Sequence, residues 1–347
     1  MPIVLPIMNA SPVRPNFAQG PRSLSAVRLL RMSITDRCNL RCQYCMPEDG
    51  VAFSERSDLL SAGDILAVAG AAASVGVDHF KITGGEPTVR GDLLDIVEGL
   101  AALGPRDLSL TTNGMLLDKL AADLRRAGLM RVTVSCDSLR EDRFERIVRG
   151  GVRGLGGLPR LMRGIDAAVK AGFEHIKINV VVMGGINDDE VADFARLTLE
   201  RPWTVRFIEY MPLGDSTLVD NAPAYIVDNA DIRRRIESEL GELAPMPRDS
   251  EAGVGPANVF RLPGAAGRVG FISARSKPFC ETCTRLRLTA TGELRSCLFD
   301  GGEVSMLDAL RPTPDRAKLV ELMQRCVVLK PDVHSTRGSR AMSQLGG

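Results

Sequence analysis

Cys38, Cys42 and Cys45 fall within eight residues, in the run Thr35-Asp36-Arg37-Cys38-Asn39-Leu40-Arg41-Cys42-Gln43-Tyr44-Cys45-Met46. Thiolates are soft ligands suited to zinc and to iron–sulfur clusters, and three on one tight loop can converge on a single metal centre. A closed structural zinc site has four protein ligands. Three thiols therefore require a distant fourth ligand or leave a coordination position for a substrate, and only the second arrangement does chemistry. A second set, Cys280, Cys283 and Cys297, again has three members, spaced C-x2-C-x13-C. Alone, that spacing suits part of a zinc ribbon as well as an open site. Between its second and third thiols lies Arg285-Leu286-Arg287. Alternate residues of a strand share a face, and guanidiniums match phosphate oxygens bidentately. A solvated surface pair is the ordinary reading of Arg-x-Arg, but beside an open metal site it asks for an anion.

These residues must be held by a scaffold, and the pattern of the chain supplies one. A short apolar run from Leu29 to Thr35 leads into the first cysteine loop, and Ser61 caps an Ala-rich helix from Ala62 to Val75. Strands then alternate with helices: His79–Thr83, helix Asp92–Leu103, Leu108–Thr112, helix Leu116–Ala127, and Arg131–Cys136. Helices over Asp142–Val148 and Leu158–Ala171, strand His175–Val182, helix Asp189–Glu200 and strand Thr204–Tyr210 complete six βα-type units. Such alternation predicts a parallel sheet with helices outside, curled by right-handed crossovers into an incomplete (β/α)6 TIM-like barrel. In these folds sites lie at the C-terminal ends of strands. The first cysteine loop, Gly84-Gly85-Glu86, Thr111 to Gly114 and Ser135 all fall there. The expected organisation is a mobile, proline-broken leader over residues 1–25, a barrel over 26–214, and a C-terminal region over 215–347 that carries the second cysteine set and a charged helix near Ile232–Leu240.

Lys and Arg total 44 against 43 Asp and Glu, so no bulk field draws the chain to nucleic acid or membrane. Eight cysteines in 347 residues, six of them in two short sets, favour metal ligation over a disulfide scaffold and imply a reducing compartment. No run approaches the roughly 20 apolar residues that span a bilayer, and Met1 to Met8 lack a basic n-region. The expectation is a cytoplasmic protein.

The C-x3-C-x2-C spacing with Tyr44 before the last thiol, followed by Thr83-Gly84-Gly85-Glu86-Pro87, resembles the radical S-adenosylmethionine (SAM) superfamily. Further runs narrow the likeness to its GTP 3′,8-cyclase family, which acts first in molybdenum-cofactor synthesis. They are Arg31-Met32-Ser33-Ile34-Thr35-Asp36-Arg37-Cys38, Val134-Ser135-Cys136-Asp137-Ser138-Leu139, Val205-Arg206-Phe207-Ile208-Glu209-Tyr210-Met211, Cys283-Thr284-Arg285-Leu286-Arg287-Leu288 and the closing Met342-Ser343-Gln344-Leu345-Gly346-Gly347. The resemblance implies two [4Fe-4S] clusters, one on each cysteine set, and SAM bound by Tyr44, Gly85, Ser135 and Met211. It implies GTP held by Arg31, Lys81, Thr111, Lys177, Arg206, Arg285 and Arg287. It also implies that a 5′-deoxyadenosyl radical takes hydrogen from ribose C3′, which then bonds to C8 of guanine. Arg31, Arg285, Arg287 and a tail ending in Gly346 and Gly347 would serve the cyclisation. The implied partners are GTP, a reductant such as flavodoxin or ferredoxin, and cyclic pyranopterin monophosphate synthase downstream; whether the chain forms a homodimer stays open.

Two departures from the family stand out. His79 and Lys81 stand where Lys-x-Arg is usual, trading a fork for a point charge, and Cys136 stands where Leu is usual and is expected to pack as a small hydrophobe. Cys326, His175 and His334 have no partner pattern. Two rival readings remain at this point, a radical SAM peptide-modifying enzyme with an auxiliary cluster and a non-catalytic zinc-binding module.

Overall fold

The computed structural model describes residues 20–149, 156–214, 216–247, 253–299, 302–335, 338 and 345. The first 19 residues of the expected leader, and Gly346 and Gly347, lie outside them. The alternating units form as β1 (Leu29–Ser33), α1 (Ala62–Ser74), β2 (His79–Thr83), α2 (Leu93–Ala101), β3 (Asp107–Thr112), α3 (Leu117–Arg126) and β4 (Arg131–Ser135). Then come α4 (Glu141–Val148), α5 (Gly157–Lys170), β5 (Lys177–Val182), α6 (Val191–Glu200) and β6 (Thr204–Glu209). Ser61 caps α1 as expected: its Oγ accepts from Asp64 N at 3.2 Å, and Asp64 Oδ2 accepts from Ser61 N at 3.0 Å. This reciprocal box satisfies two of the amide groups that a helix start leaves without partners.

After β6 come α7 (Ala222–Tyr225), α8 (Asn229–Leu240), β7 (Ala244–Pro245), β8 (Asn258–Arg261), β9 (Arg268–Ile272), β10 (Arg285–Leu288), β11 (Glu293–Arg295), β12 (Glu303–Ser305), α9 (Leu307–Leu310) and α10 (Arg316–Val328). All twelve strands join one sheet, in the order β12-β11-β10-β1-β2-β3-β4-β5-β6-β9-β8-β7. β10 runs parallel beside β1 and β9 parallel beside β6. The six expected parallel strands are thus flanked by one more on each side, both from the C-terminal region, and the sheet stays open as the partial barrel requires.

A parallel sheet covered on both faces usually reads as continuous apolar runs. These strands alternate instead. Leu30, Met32, Phe80, Ile82, Leu108, Leu110, Val132, Val134, Ile178, Val180, Val205 and Phe207 are all essentially inaccessible and join one apolar core. Burying such a side chain is worth about 1.5–3 kcal/mol, so this layer holds the barrel wall. The residues between them are Arg31, Lys81, Thr111, Thr133, Ser135, Asn179 and Arg206, and they line or border the interior.

Candidate functional site

The cysteine loop leaves the C-terminal end of β1 and is fastened on three sides. Gln43 N donates to Ile147 O at 2.9 Å and Arg41 N to Val148 O at 3.1 Å, tying it to the end of α4. Arg149 clasps both arms, donating from Nε to Arg41 O (2.9 Å) and from a terminal nitrogen to Met46 O (2.7 Å). Beneath the loop, Gly85 N donates to Thr35 O at 2.7 Å and Glu86 N to Arg37 O at 2.8 Å. A Cβ on Gly84 would stand 2.5 Å from Thr35 O, and one on Gly85 2.5 Å from Asp36 O and Arg37 O. Glycine is required here because two backbones touch.

Glu86 is fully buried and ties this corner together. It accepts from Thr88 N (3.0 Å), Thr112 Oγ1 (2.7 Å) and Asn113 N (2.7 Å). Burial pushes its carboxyl up against the pull of those donors. Tyr44 OH reaches across to Asp137 Oδ2 at 3.0 Å, and Asp137 Oδ1 accepts from Val181 N at 2.8 Å. Burial raises the Asp137 carboxyl to about 6 despite both bonds, and burial followed by the charge of Asp137 holds the Tyr44 phenol well above its ordinary value. The phenol therefore remains a donor.

Cys280 and Cys283 precede β10, and Cys297 follows β11. The antiparallel pairing Arg287↔Arg295 brings the two segments together. Lys330, just past α10, is buried and donates from Nζ to Cys283 O at 2.7 Å. Arg285 lies over the Phe279 ring, 4.9 Å from its centroid, and Phe299 stacks on His334 at 4.2 Å. All six of these thiols face one cavity, together with Tyr44, Gly85, Ser135 and Met211.

Cross-strand register explains the cavity's charge. Reading across the sheet, Arg295 pairs with Arg287, Arg287 with Arg31, Arg31 with Lys81, Lys81 with Ser109 and Ser109 with Arg131. Five of these six aligned positions carry a cation, and like charges directly opposite one another destabilise a sheet. Carboxylates stand at the two ends, Glu303 on Arg295 and Asp107 on Arg131. In the middle, burial and then Arg287, Arg285 and Arg206 hold the Arg31 guanidinium well below its ordinary value. Burial and then Arg206, Arg31, Arg131 and Lys177 do the same to Lys81. Burial and Arg285 lower Arg287 to about 10. An anion entering the cavity would relieve this repulsion. Thr111 Oγ1 also faces the cavity, buried and with no hydrogen-bond partner.

Arg31, Lys81, Thr111, Arg206, Arg285 and Arg287 all line the cavity; Lys177 is buried but is not among the lining residues. His79 is also off the lining, with Nδ1 2.6 Å from Asp78 Oδ1. Cys136 is buried in the apolar core, and Cys326 sits under β11 and donates to Leu294 O at 3.4 Å. Sequence reasoning missed Asp137, Arg149, Asn179 and Lys330. Asp137 lay inside a quoted run and could have been found there; Arg149 and Lys330 had no local signal.

Residues 32–198 match the Radical SAM superfamily and residues 203–336 match Molybdenum Cofactor Synthesis C. GTP 3′,8-cyclase of Pelotomaculum thermopropionicum is 44% identical over 326 residues, covering 92% of this chain and 98% of that protein. The Geobacter sulfurreducens GTP 3′,8-cyclase is 45% identical over 328 residues, covering 92% and 97%. The chain belongs to the GTP 3′,8-cyclase family. Among solved structures, Streptococcus suis SuiB bound to S-adenosylmethionine superposes with a TM-score of 0.53 at 16% identity, over 85% of this chain and 68% of that one. SuiB bound to its precursor peptide SuiA gives 0.55 at 15% identity, over 88% and 65%. At that identity the likeness shows the fold alone.

The radical SAM superfamily uses a [4Fe-4S] cluster and SAM. The first cysteine loop fits such a cluster. Its three thiols face the cavity, and none of the eight cysteines is in a disulfide. Cysteine thiolates are the ligands by which proteins hold such clusters. No helix of the described residues is long and apolar enough to cross a membrane.

Proposed function

We infer that the chain is a radical SAM GTP 3′,8-cyclase that converts GTP to (8S)-3′,8-cyclo-7,8-dihydroguanosine 5′-triphosphate in the first step of molybdenum-cofactor biosynthesis. The observation that carries this reading is the row of aligned cations between two open thiol triads, in a chain 44–45% identical to cyclases over nearly its whole length. Neither rival reading accounts for that row: a peptide substrate carries no triphosphate, and a zinc module needs no buried anion site.

When bound, the cluster and SAM on the first triad supply the electron and the hydrogen abstraction at ribose C3′. The protein's own part is to hold GTP in a reactive pose and exclude water. Arg31, Lys81, Arg206, Arg285 and Arg287 are proposed to hold the triphosphate, with Thr111 donating its unpartnered hydroxyl and Lys177 adding charge. Tyr44, Gly85, Ser135 and Met211 are assigned to SAM. The second triad is proposed to carry a second [4Fe-4S] cluster that meets guanine, and Gly346 and Gly347 to reach the arginines during cyclisation. Flavodoxin or ferredoxin would supply electrons and cyclic pyranopterin monophosphate synthase would take the product. The proposed organisation is a barrel over residues 26–214 and an auxiliary-cluster region over 215–347. The test is anaerobic incubation with GTP, SAM and a strong reductant, followed by mass analysis. A product isomeric with GTP alongside 5′-deoxyadenosine is expected; 5′-deoxyadenosine without a cyclised nucleotide would overturn the substrate assignment.

A further inference from the structure

Arg149 closes α4 in a conformation that glycine adopts more readily. Its φ is +40° and its ψ 110°, and among the described residues it is the one non-glycine residue with positive φ. Such a backbone is strained under a side chain, and the strain persists only where the surroundings over-determine it. Here they do. Arg149 N donates to Glu145 O at 3.0 Å and ends the helix. The next three carbonyls, which a helix end leaves without partners, all accept from the first cysteine loop. Arg146 O takes Gln43 Nε2 at 2.8 Å, Ile147 O takes Gln43 N at 2.9 Å and Val148 O takes Arg41 N at 3.1 Å. From that turn the guanidinium reaches back to the same loop, where Nε bonds Arg41 O and one terminal nitrogen bonds Met46 O.

The remaining nitrogen goes elsewhere. It donates to Thr217 Oγ1 at 2.6 Å, and that hydroxyl donates in turn to Met46 O at 3.4 Å. Thr217 follows Met211 by six residues. One side chain thus ties the loop that carries Tyr44 to the stretch that follows Met211, and Tyr44 and Met211 both line the cavity. A small apolar cluster apart from the main core draws the same pieces together: Ile147 of α4 packs with Tyr210, Leu218 and Ala222, and Tyr44 packs against them. Arg149 is not itself among the lining residues, so it acts on the cavity only through the groups it holds.

We propose that Arg149 is a positioning residue for SAM, its guanidinium fixing the first cysteine loop against Thr217 and thereby the spacing of Tyr44 and Met211. The proposal rests on the assignment of SAM to Tyr44, Gly85, Ser135 and Met211. A glycine would make the same turn without strain but would leave the two walls untied.

The experiment compares Arg149→Gly, Arg149→Ala and Arg149→Lys with the native full chain. Calorimetric titration of the anaerobic, cluster-loaded proteins with SAM and with GTP reads the pocket. Hydrogen exchange of the peptide carrying Arg41 and Gln43, in metal-free protein, reads the fastening of the loop. Arg149→Gly relieves the turn while removing the guanidinium, so it should melt no lower than Arg149→Ala. It should nevertheless bind SAM about tenfold more weakly than native and exchange those amides about tenfold faster, with GTP affinity within about twofold. Arg149→Lys keeps the charge without the fork and should weaken SAM about threefold. In turnover the KM for SAM should rise while kcat at saturating SAM holds. SAM affinity within about twofold of native in Arg149→Gly would reduce the residue to a turn and overturn the proposal, and so would equal weakening of SAM and GTP, the mark of general loss of structure. Where a variant loads no cluster, unchanged exchange in the metal-free chain overturns it; where Arg149→Gly does not fold, the SAM-to-GTP affinity ratio of Arg149→Lys decides. Failure of the native protein to bind SAM overturns the assignment of the pocket instead.

Discussion

The two thiol triads face one cavity but are built differently. The first is a single loop of eight residues strapped down by backbone bonds and by Arg149, close to the buried carboxylates Glu86 and Asp137. The second is assembled from segments 14 residues apart, brought together by the β10–β11 hairpin and surrounded by Arg285, Arg287 and Lys330. Their electrostatics differ accordingly. Burial and then Glu86 push the Cys38 thiol up to about 11, and burial with its neighbouring thiols and Asp137 raises Cys42 well above its ordinary value. Burial also works to raise Cys283, but Arg285 and Lys330 outweigh it and bring it down to about 7. Cys280 still shifts upward, chiefly by burial. The lesson is that equal ligand counts do not make equal sites: one triad is shaped by its loop, the other by the cations around it.

The comparison breaks most sharply under serine substitution. Cys42→Ser should abolish 5′-deoxyadenosine formation and remove roughly half the iron, whereas Cys283→Ser should keep SAM cleavage and lose only the cyclised nucleotide. Elemental analysis with product assay reads both, and equal loss of SAM cleavage in the two variants would erase the distinction. Next in size is thiol reactivity in the metal-free protein. At pH 7 about half of Cys283 is thiolate, against roughly one part in ten thousand for Cys38; after allowing for the lower nucleophilicity of a more acidic thiol, Cys283 should alkylate about a hundredfold faster. Peptide mapping after limited iodoacetamide treatment measures this, with comparable rates at the two sites counting against the contrast.

Arg287→Ala removes one member of the cation row, and a lost charge-assisted contact of about 2 kcal/mol corresponds to roughly thirtyfold in cyclisation. SAM binding should stay unchanged, because Arg287 belongs to the second triad's surroundings. The smallest expected effect is Lys330→Gln, which withdraws one of the two main cations acting on Cys283. Its alkylation midpoint should rise by about half a pH unit, lowering the thiolate fraction at pH 7 about twofold. An unmoved midpoint would leave Arg285 as the sole cause of the low value.

The first triad was legible because its ligands and Tyr44 fall in one short run and Gly84-Gly85-Glu86 in another, and the six βα units were legible because each strand and helix carries its own local period. The second triad was readable as an open site beside Arg285 and Arg287, but its further cation was not, since Lys330 lies 47 residues from Cys283 with no local signal. The strands β7, β8, β9, β11 and β12 went unread for a related reason. Several are two to four residues long, β7 is exposed throughout, and β12 has one buried position between two exposed ones. Lys177 shows the reverse limit: it shares its strand face with the lining residues Asn179 and Val181, but as the first residue of β5 it is buried and does not line the cavity.

β1 borders β10 and β6 borders β9, so the last third of the chain grips both margins of what the first 210 residues build. During synthesis those residues emerge first, with two bare strand edges and an inward-facing row of cations awaiting partners not yet made. Unpaired edges are templates for joining other chains. A polypeptide cut at residue 214 should therefore clump rather than fold alone, and the ribosome's delay in delivering β9 and β10 is the interval in which a nascent chain is most exposed to that fate.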